Sequence, residues 1–119
     1  TVSLPVNIDC FRFTQVISNF LNNANKFTKE GTITLGCKIY KEHQEVCVYV
    51  KDTGKGIDDK ELMMIFDRFY KTDEFEQGSG LGLSICKVII ERLAGRIEVH
   101  SEVGKGSCFS VILSLANII

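Results

Sequence analysis

The spacing of apolar residues divides the chain into helical and extended segments. From Phe11 to Phe27 the apolar side chains recur every three or four positions, which is the period of an amphipathic helix, and Asp9 before them is a good N-cap. Residues 33–39 alternate between apolar and polar, the run VCVYV at residues 46–50 predicts a second strand, and the polar KEHQE between the two runs predicts a turn. The first half therefore predicts a helix followed by a hairpin.

The second half predicts two further helices and a second hairpin. Asp58 is placed to cap a short helix over residues 58–66, and a longer helix is expected from about Leu81 to Leu93, with Gly95 as its stop. The runs RIEVHS and SCFSVILSL then predict two strands joined by a glycine-containing turn. An additional short strand is expected over residues 1–8.

These elements predict an α+β fold. We expect a single domain over residues 1–119, built as a two-layer α/β sandwich. Its sheet should be mixed but mostly antiparallel and covered on one face by helices.

Composition and charge exclude several classes of protein. Hydrophobic residues make up 45% of the chain and charged residues 24%, with a formal net charge of -1, so neither a nucleic-acid partner nor direct membrane contact is expected. No run of about 18 apolar residues occurs, which predicts a soluble, cytoplasmic domain. The cysteine count is odd and no two cysteines share a Cys-x-x-Cys spacing, which favours small buried side chains in a reducing compartment. The cysteines are Cys10, Cys37, Cys47, Cys86 and Cys108.

The first helix carries asparagines on two sides. At about 100° per residue, Asn22 and Asn25 face away from the apolar side, whereas Asn19, Asn23 and Lys26 fall along one edge of it. An amide oxygen can coordinate Mg²⁺, and a lysine ammonium can pair with a phosphate. This edge therefore suits a metal-bound anion, although a solvated helix edge without a ligand is the alternative.

Five of the ten glycines lie in two short clusters, at residues 52–56 and 78–82. The second cluster opens the long helix, where free N–H groups favour phosphate. Neither cluster has the spacing of a dinucleotide fingerprint or a P-loop, and protein-kinase signatures are missing. Asp52 ends an apolar strand, so its carboxylate can accept a hydrogen bond from an exocyclic amine such as that of adenine. A turn-stabilising aspartate is the alternative.

Taken in order, these motifs resemble the ATP-binding domain of bacterial sensor histidine kinases. That domain belongs to a superfamily (the Bergerat-type ATP-binding fold) shared with gyrase B subunits, heat-shock chaperone ATPases and mismatch-repair ATPases. QVISNFLNNANKFT resembles the family's N box, VKDTGKGI its first glycine box, IFDRFY its F box and GSGLGLSICKVI its second glycine box. The terminal GKGSCFSVILSL resembles its closing hairpin.

The resemblance implies a role for each matching position. Asn23 would be the Mg²⁺ ligand, and Lys26 would contact a phosphate. These two residues would be the catalytic ones. Asp52 would read the adenine, and Ser107 would help to hold the base through water. The complete ATP-binding set implied by the resemblance is Asn19, Asn23, Lys26, Phe27, Asp52, Gly54, Gly56, Ile57, Phe69, Gly78, Gly80, Leu81, Gly82, Leu83 and Ser107. Arg68 is an additional phosphate contact by the same resemblance.

The expected activity is transfer of the ATP γ-phosphoryl group to a histidine on a separate segment of the same sensor kinase, with ATP and Mg²⁺ bound. Related ATPases that hydrolyse ATP tend to carry a glutamate one turn before the Mg²⁺ asparagine, whereas here that position is Asn19, an amide without useful basicity. The alternatives are a nucleotide-binding module that senses without transferring phosphate, and an anti-sigma-type serine kinase.

The resemblance also implies partners. They are upstream dimerisation helices that carry the phosphoacceptor histidine, and a downstream response regulator or receiver domain. Neither His43 nor His100 matches the family's phosphoacceptor motif, because one falls in a predicted turn and the other in a strand. The isolated domain is expected to be monomeric, within a parent protein anchored in the inner membrane. The segment KTDEFEQ, residues 71–77, resembles a shortened ATP lid.

Overall fold

Helix α1 spans Cys10–Phe27 and supplies much of the core. In this computed structural model, residues 10–67 and 82–114 are described. The buried stripe of α1 contains residues at four-residue intervals, as the apolar spacing predicts; they are Val16, Phe20 and Ala24. Asp9, the expected N-cap, lies outside the described residues, as does the strand expected over residues 1–8.

Four strands form one antiparallel sheet. Strands β1 (Ile33–Tyr40) and β2 (Glu45–Asp52) make the first hairpin, and β3 (Arg96–Glu102) and β4 (Gly106–Ser114) make the second. The order across the sheet is β1-β2-β4-β3, and all three pairings are antiparallel. The two hairpins therefore meet along β2 and β4, which are the central strands.

The helices cover one face of this sheet. Two shorter helices, α2 (Asp59–Leu62) and α3 (Leu83–Arg92), follow β2, and α3 buries Cys86 and Ile90 beside α1. Phe20 of α1 packs on Phe109 of β4 with ring centroids 5.2 Å apart. The predicted two-layer α+β architecture is therefore confirmed.

Two of the helices differ in length from their predictions. Asp58 does cap α2, since its Oδ1 accepts the N–H of Glu61 at 2.8 Å, but the regular helix ends at Leu62 and only turns follow. Helix α3 ends at Arg92, and the left-handed residue that follows it is Ala94 (φ 61°), one position before Gly95, the predicted stop. Gly95 instead donates its N–H to the Ile90 carbonyl at 2.9 Å and lies so close to the Ile112 carbonyl that a Cβ would collide with it.

The expectation that the cysteines are buried is wrong for Cys37. Cys47 and Cys86 are buried and Cys108 is half-buried, but Cys37 is exposed. Cys37 lies on the edge strand β1, whose side chains are mostly exposed, including Leu35 and Ile39. Alternation identified the strand, but it could not show that this strand would be at the edge.

This difference predicts selective alkylation. Brief treatment of the folded chain with iodoacetamide at about pH 8 should modify Cys37 and spare Cys86, because the thiolate is the reactive form. Cys86 is fully buried, and its burial raises the pKa of its thiol to about 12. Peptide mass spectrometry measures both sites, and labelling in denaturant is the control in which both should react. Equal labelling in the folded protein would contradict the packing described here.

Within the described stretches, no helix is long and apolar enough to cross a membrane.

Candidate functional site: a nucleotide site between α1 and the end of β2

The two asparagines predicted along the edge of α1 form a buried pair. Asn19 and Asn23 are each only 2% exposed, and the Nδ2 of Asn23 donates to the Oδ1 of Asn19 at 3.2 Å. Asn22 and Asn25 are exposed on the opposite side, as the helical spacing predicts. Only the first pair is therefore placed to serve an internal site.

The side-chain oxygen of Asn23 is buried and has no hydrogen-bond partner among the described residues. Leaving a buried acceptor unsatisfied costs about 1–3 kcal/mol, so such atoms commonly mark a place for a water, an ion or a ligand. An amide oxygen is a suitable ligand for a hard cation such as Mg²⁺. The Asn23 oxygen therefore fits the Mg²⁺ that the resemblance implies, because no described residue competes for it.

Asp52 is the last residue of β2 and is almost completely buried. Its Oδ1 accepts the N–H of Gly54 at 2.9 Å, which closes a tight turn at the start of the glycine loop. In the sheet register Asp52 lies opposite Ser107 of β4, which is also buried. The predicted adenine-reading carboxylate and the predicted hydroxyl are therefore neighbours on the helix-covered face.

The glycines of the first cluster are required by close packing within the protein. A Cβ on Gly54 would collide with the Phe27 carbonyl, and one on Gly56, which has a φ of 75°, would collide with the Glu102 carbonyl. The backbone N–H of Lys55 bonds that same Phe27 carbonyl at 3.3 Å. The loop is thus anchored to the end of α1 and to the β3–β4 turn. That these glycines also leave room for a base remains a prediction.

Lys26, Phe27 and Gly54 line a groove of about 630 Å³ at the junction of α1 and the glycine loop. Lys29 and Lys55 also line this groove. The Lys55 ammonium lies 5.6 Å from the centroid of the Phe27 ring, which is a cation–π contact. The sequence did not predict this contact. The structure therefore brings together one predicted phosphate-contacting lysine, one predicted aromatic residue and one predicted loop glycine.

The second glycine cluster is described only from Gly82 onward. Gly82 is the N-cap of α3 and provides no side-chain cap, while Leu83 is buried in the first turn. The first N–H groups of α3 have no intrahelical partner, as at every helix start, and so suit a phosphate. The other residues predicted for this part of the site lie outside the described residues; they are Arg68, Phe69, Gly78, Gly80 and Leu81.

Sequence reasoning missed a hydroxyl on β3. The Oγ of Ser101 lies 2.7 Å from the Oγ of Ser107 and accepts the N–H of Ile57, also at 2.7 Å. Ser101 faces Ser107 in the register of the second hairpin. The signal was present as a serine in each predicted strand, but only a known register would have paired them.

The fold and this site define an ATP-binding domain of the histidine kinase type. The family model for histidine kinase-, DNA gyrase B-, and HSP90-like ATPases matches residues 8–117, so the chain belongs to that family. The resemblance inferred from the motifs is confirmed.

Individual relatives are sensor proteins. The chain is 46% identical over 110 residues to sensor protein SrrB of Staphylococcus aureus (strain NCTC 8325 / PS 47), an alignment that covers 88% of this chain but only 18% of that protein. The chain thus spans less than a fifth of the length of this curated relative.

Solved structures agree with this placement. The catalytic domain of histidine kinase ThkA superposes with a TM-score of 0.76 at 33% identity, covering 92% of this chain and 70% of that one. Full-length ShkA, solved in complex with AMPPNP, superposes with a TM-score of 0.74 at 33% identity, covering 86% of this chain and 21% of that one.

Proposed function

We propose that this chain binds Mg-ATP and transfers the γ-phosphoryl group to a histidine on a separate dimerisation segment of the same sensor kinase. The observation that carries the proposal is the buried amide pair on α1. Asn23 offers an oxygen that no described residue bonds, and Asn19, one turn earlier, offers a neutral amide whose oxygen accepts from the Asn23 Nδ2. An amide is not a base at neutral pH, so this pair favours transfer to an incoming nucleophile over activation of water.

Each part of the site then has a task in phosphoryl transfer, which depends mainly on positioning and charge neutralisation. Asp52 and Ser107 would hold the adenine, and Lys26 would meet a phosphate from the rim of the groove. The start of α3 at Gly82 would contribute backbone N–H groups to the phosphates. Mg²⁺ held by Asn23 would neutralise phosphate charge.

Partners and context follow from the same proposal. The phosphoacceptor would be supplied by helices upstream in the parent protein, and the phosphoryl group would pass to a response regulator or receiver domain. His43 lies in the β1–β2 turn and His100 in β3, both exposed and neither on a helix, so neither is proposed as the acceptor. We further propose that residues 1–119 form one cytoplasmic, monomeric domain of a membrane-anchored parent, without direct membrane contact or a nucleic-acid ligand.

The test combines the chain with the phosphoacceptor helices of its parent, Mg²⁺ and ATP labelled at the γ-phosphate. Label should appear on those helices as phosphohistidine, which is labile in acid and stable in alkali, and should depend on the added chain. ATP binding without transfer would instead identify a nucleotide-sensing module. Acid-stable label would identify a serine kinase. Either result would overturn the proposed reaction while leaving the family assignment intact.

A further inference from the structure

The hydroxyl of Ser101 has three hydrogen-bond partners at the junction of three backbone segments. It accepts the N–H of Ile57 from the glycine loop at 2.7 Å, lies 3.1 Å from the carbonyl oxygen of Gly106, and lies 2.7 Å from the hydroxyl of Ser107. Ser107 is buried and lies opposite Asp52 in the sheet register. Ser101 therefore connects the glycine loop to the residues assigned to the base.

Counting protons assigns a direction to each bond. A serine hydroxyl has one proton and two lone pairs. The Ser101 hydroxyl lies within donating distance of the Gly106 carbonyl oxygen, at 3.1 Å, while the Ile57 N–H takes one Ser101 lone pair. Distance alone leaves either hydroxyl as the donor of the 2.7 Å bond between Ser101 and Ser107; donation of the Ser101 proton to Gly106 assigns Ser107 as the donor, and this direction is the premise of the proposal below. In that arrangement Ser107 presents only lone pairs to the proposed base site.

This arrangement gives the proposed base site a wall, formed by Asp52 and Ser107, that only accepts hydrogen bonds. The Asp52 carboxylate is also an acceptor when ionised, so both side chains favour a group that carries N–H or O–H. The exocyclic amine of adenine donates, directly or through a water, whereas guanine carries a carbonyl oxygen at the same ring position. The guanine oxygen would face the acceptors of Asp52 and Ser107 and would lack a hydrogen-bond donor. An unpaired buried polar group of this kind lowers the binding affinity.

We propose that Ser101 is a positioning residue that sets base selectivity by holding the Ser107 proton away from the nucleotide. The inference rests on the proposed function, because it takes the Asp52–Ser107 wall as the base site. Removing the Ser101 oxygen frees the Ser107 proton to turn toward the pocket. There it would offer guanine a donor and compete with the adenine amine.

A purely structural role predicts something else. Ser101 also satisfies the Ile57 N–H, so its loss should lower the melting temperature and loosen the loop whichever base is bound. A looser loop would weaken the binding of ATP and of GTP by a similar factor. The selectivity ratio, defined as the GTP dissociation constant divided by the ATP dissociation constant, separates the two roles because loosening alone leaves it unchanged.

The experiment measures both dissociation constants by calorimetry for the wild-type chain, Ser101→Ala, Ser101→Cys and Ser101→Thr. The ratio should fall about tenfold in Ser101→Ala, the effect of redirecting one hydrogen bond. It should stay near the wild-type value in Ser101→Thr, which restores the hydroxyl. Should Ser101→Ala fail to fold, Ser101→Cys decides, because its thiol fills similar space but is a weak acceptor.

The outcomes separate this inference from the proposed function. An unchanged ratio in both hydroxyl-lacking variants, with the wild type preferring ATP, would overturn the role of Ser101 and leave ATP binding intact. Equal loss of the ratio in Ser101→Thr would also overturn it, because the hydroxyl would then not be the determining group. Failure of the wild-type chain to bind ATP would overturn both together.

Discussion

Replacing Asn23 with alanine is expected to lower the rate of phosphoryl transfer about 100-fold, the usual order for removing one group that neutralises developing charge. The side-chain oxygen of Asn23 is buried and bonds no residue in the described part of the chain, which makes it the best-placed ligand for Mg²⁺ on α1. Loss of this oxygen should therefore lower the transfer rate by weakening Mg²⁺ binding. The measurement is the transfer rate to the phosphoacceptor helices as Mg²⁺ is varied, together with ATP affinity at each concentration.

The chain supplies a matched control for this substitution. Asn22 is the same residue type on the same helix, one position earlier, but it is exposed. Asn22→Ala should leave the transfer rate within about twofold of the wild type, since exposed substitutions away from special features have small effects. Circular dichroism should show both variants folded. Equal activity in the two variants, or an unchanged Mg²⁺ dependence in Asn23→Ala, would falsify the metal assignment.

Asn23→Ala has one structural side effect that must be separated from the metal effect. The Nδ2 of Asn23 donates to the Oδ1 of Asn19, so alanine also removes this one donor from the buried Asn19 oxygen. Asn19→Ala removes the other half of the same bond while keeping the Asn23 oxygen. If the 100-fold loss in rate arises from weaker Mg²⁺ binding, the transfer rate of Asn19→Ala should depend on Mg²⁺ as that of the wild type does. The transfer rate of Asn23→Ala should not.

Elements with a strong internal period were predictable from the sequence. The apolar spacing of α1 and the alternation along β1 each follow from local geometry, in which side chains repeat every 3.6 or every two residues. The division of the α1 asparagines into a buried and an exposed pair follows from the same period. For this reason the fold class and the amide pair needed no tertiary information.

Features that depend on which elements become neighbours were not predictable in the same way. Ser101 lies beside the candidate site only because the hairpin register sets it opposite Ser107, and the five intervening residues do not reveal that register. Cys37 is exposed because β1 lies at the sheet edge, which is a property of the strand order. Similarly, Gly54 is explained by the nearby Phe27 carbonyl, an atom 27 positions earlier in the sequence. Local pattern identifies elements, whereas these contacts arise from their arrangement.

Replacing Asp52 with asparagine is expected to weaken ATP binding about 10- to 100-fold, because hydrogen bonds to a charged group contribute about 1.5–3 kcal/mol and each 1.4 kcal/mol is a factor of ten. The substitution is nearly isosteric. An asparagine oxygen can still accept the Gly54 N–H that now bonds Oδ1, so the turn should persist. The second carboxylate oxygen, however, becomes an N–H₂ group that donates where the adenine amine also donates.

Two comparisons make this prediction specific to the base. Asp58→Asn is the control, since Asp58 is exposed, caps α2, and can keep that cap as asparagine. It should bind ATP like the wild type. Inosine triphosphate, which carries an oxygen in place of the adenine amine, should lose less affinity than ATP in Asp52→Asn, because the new amide can donate to that oxygen. Equal losses for the two nucleotides would mean that Asp52 supports the loop but does not read the amine.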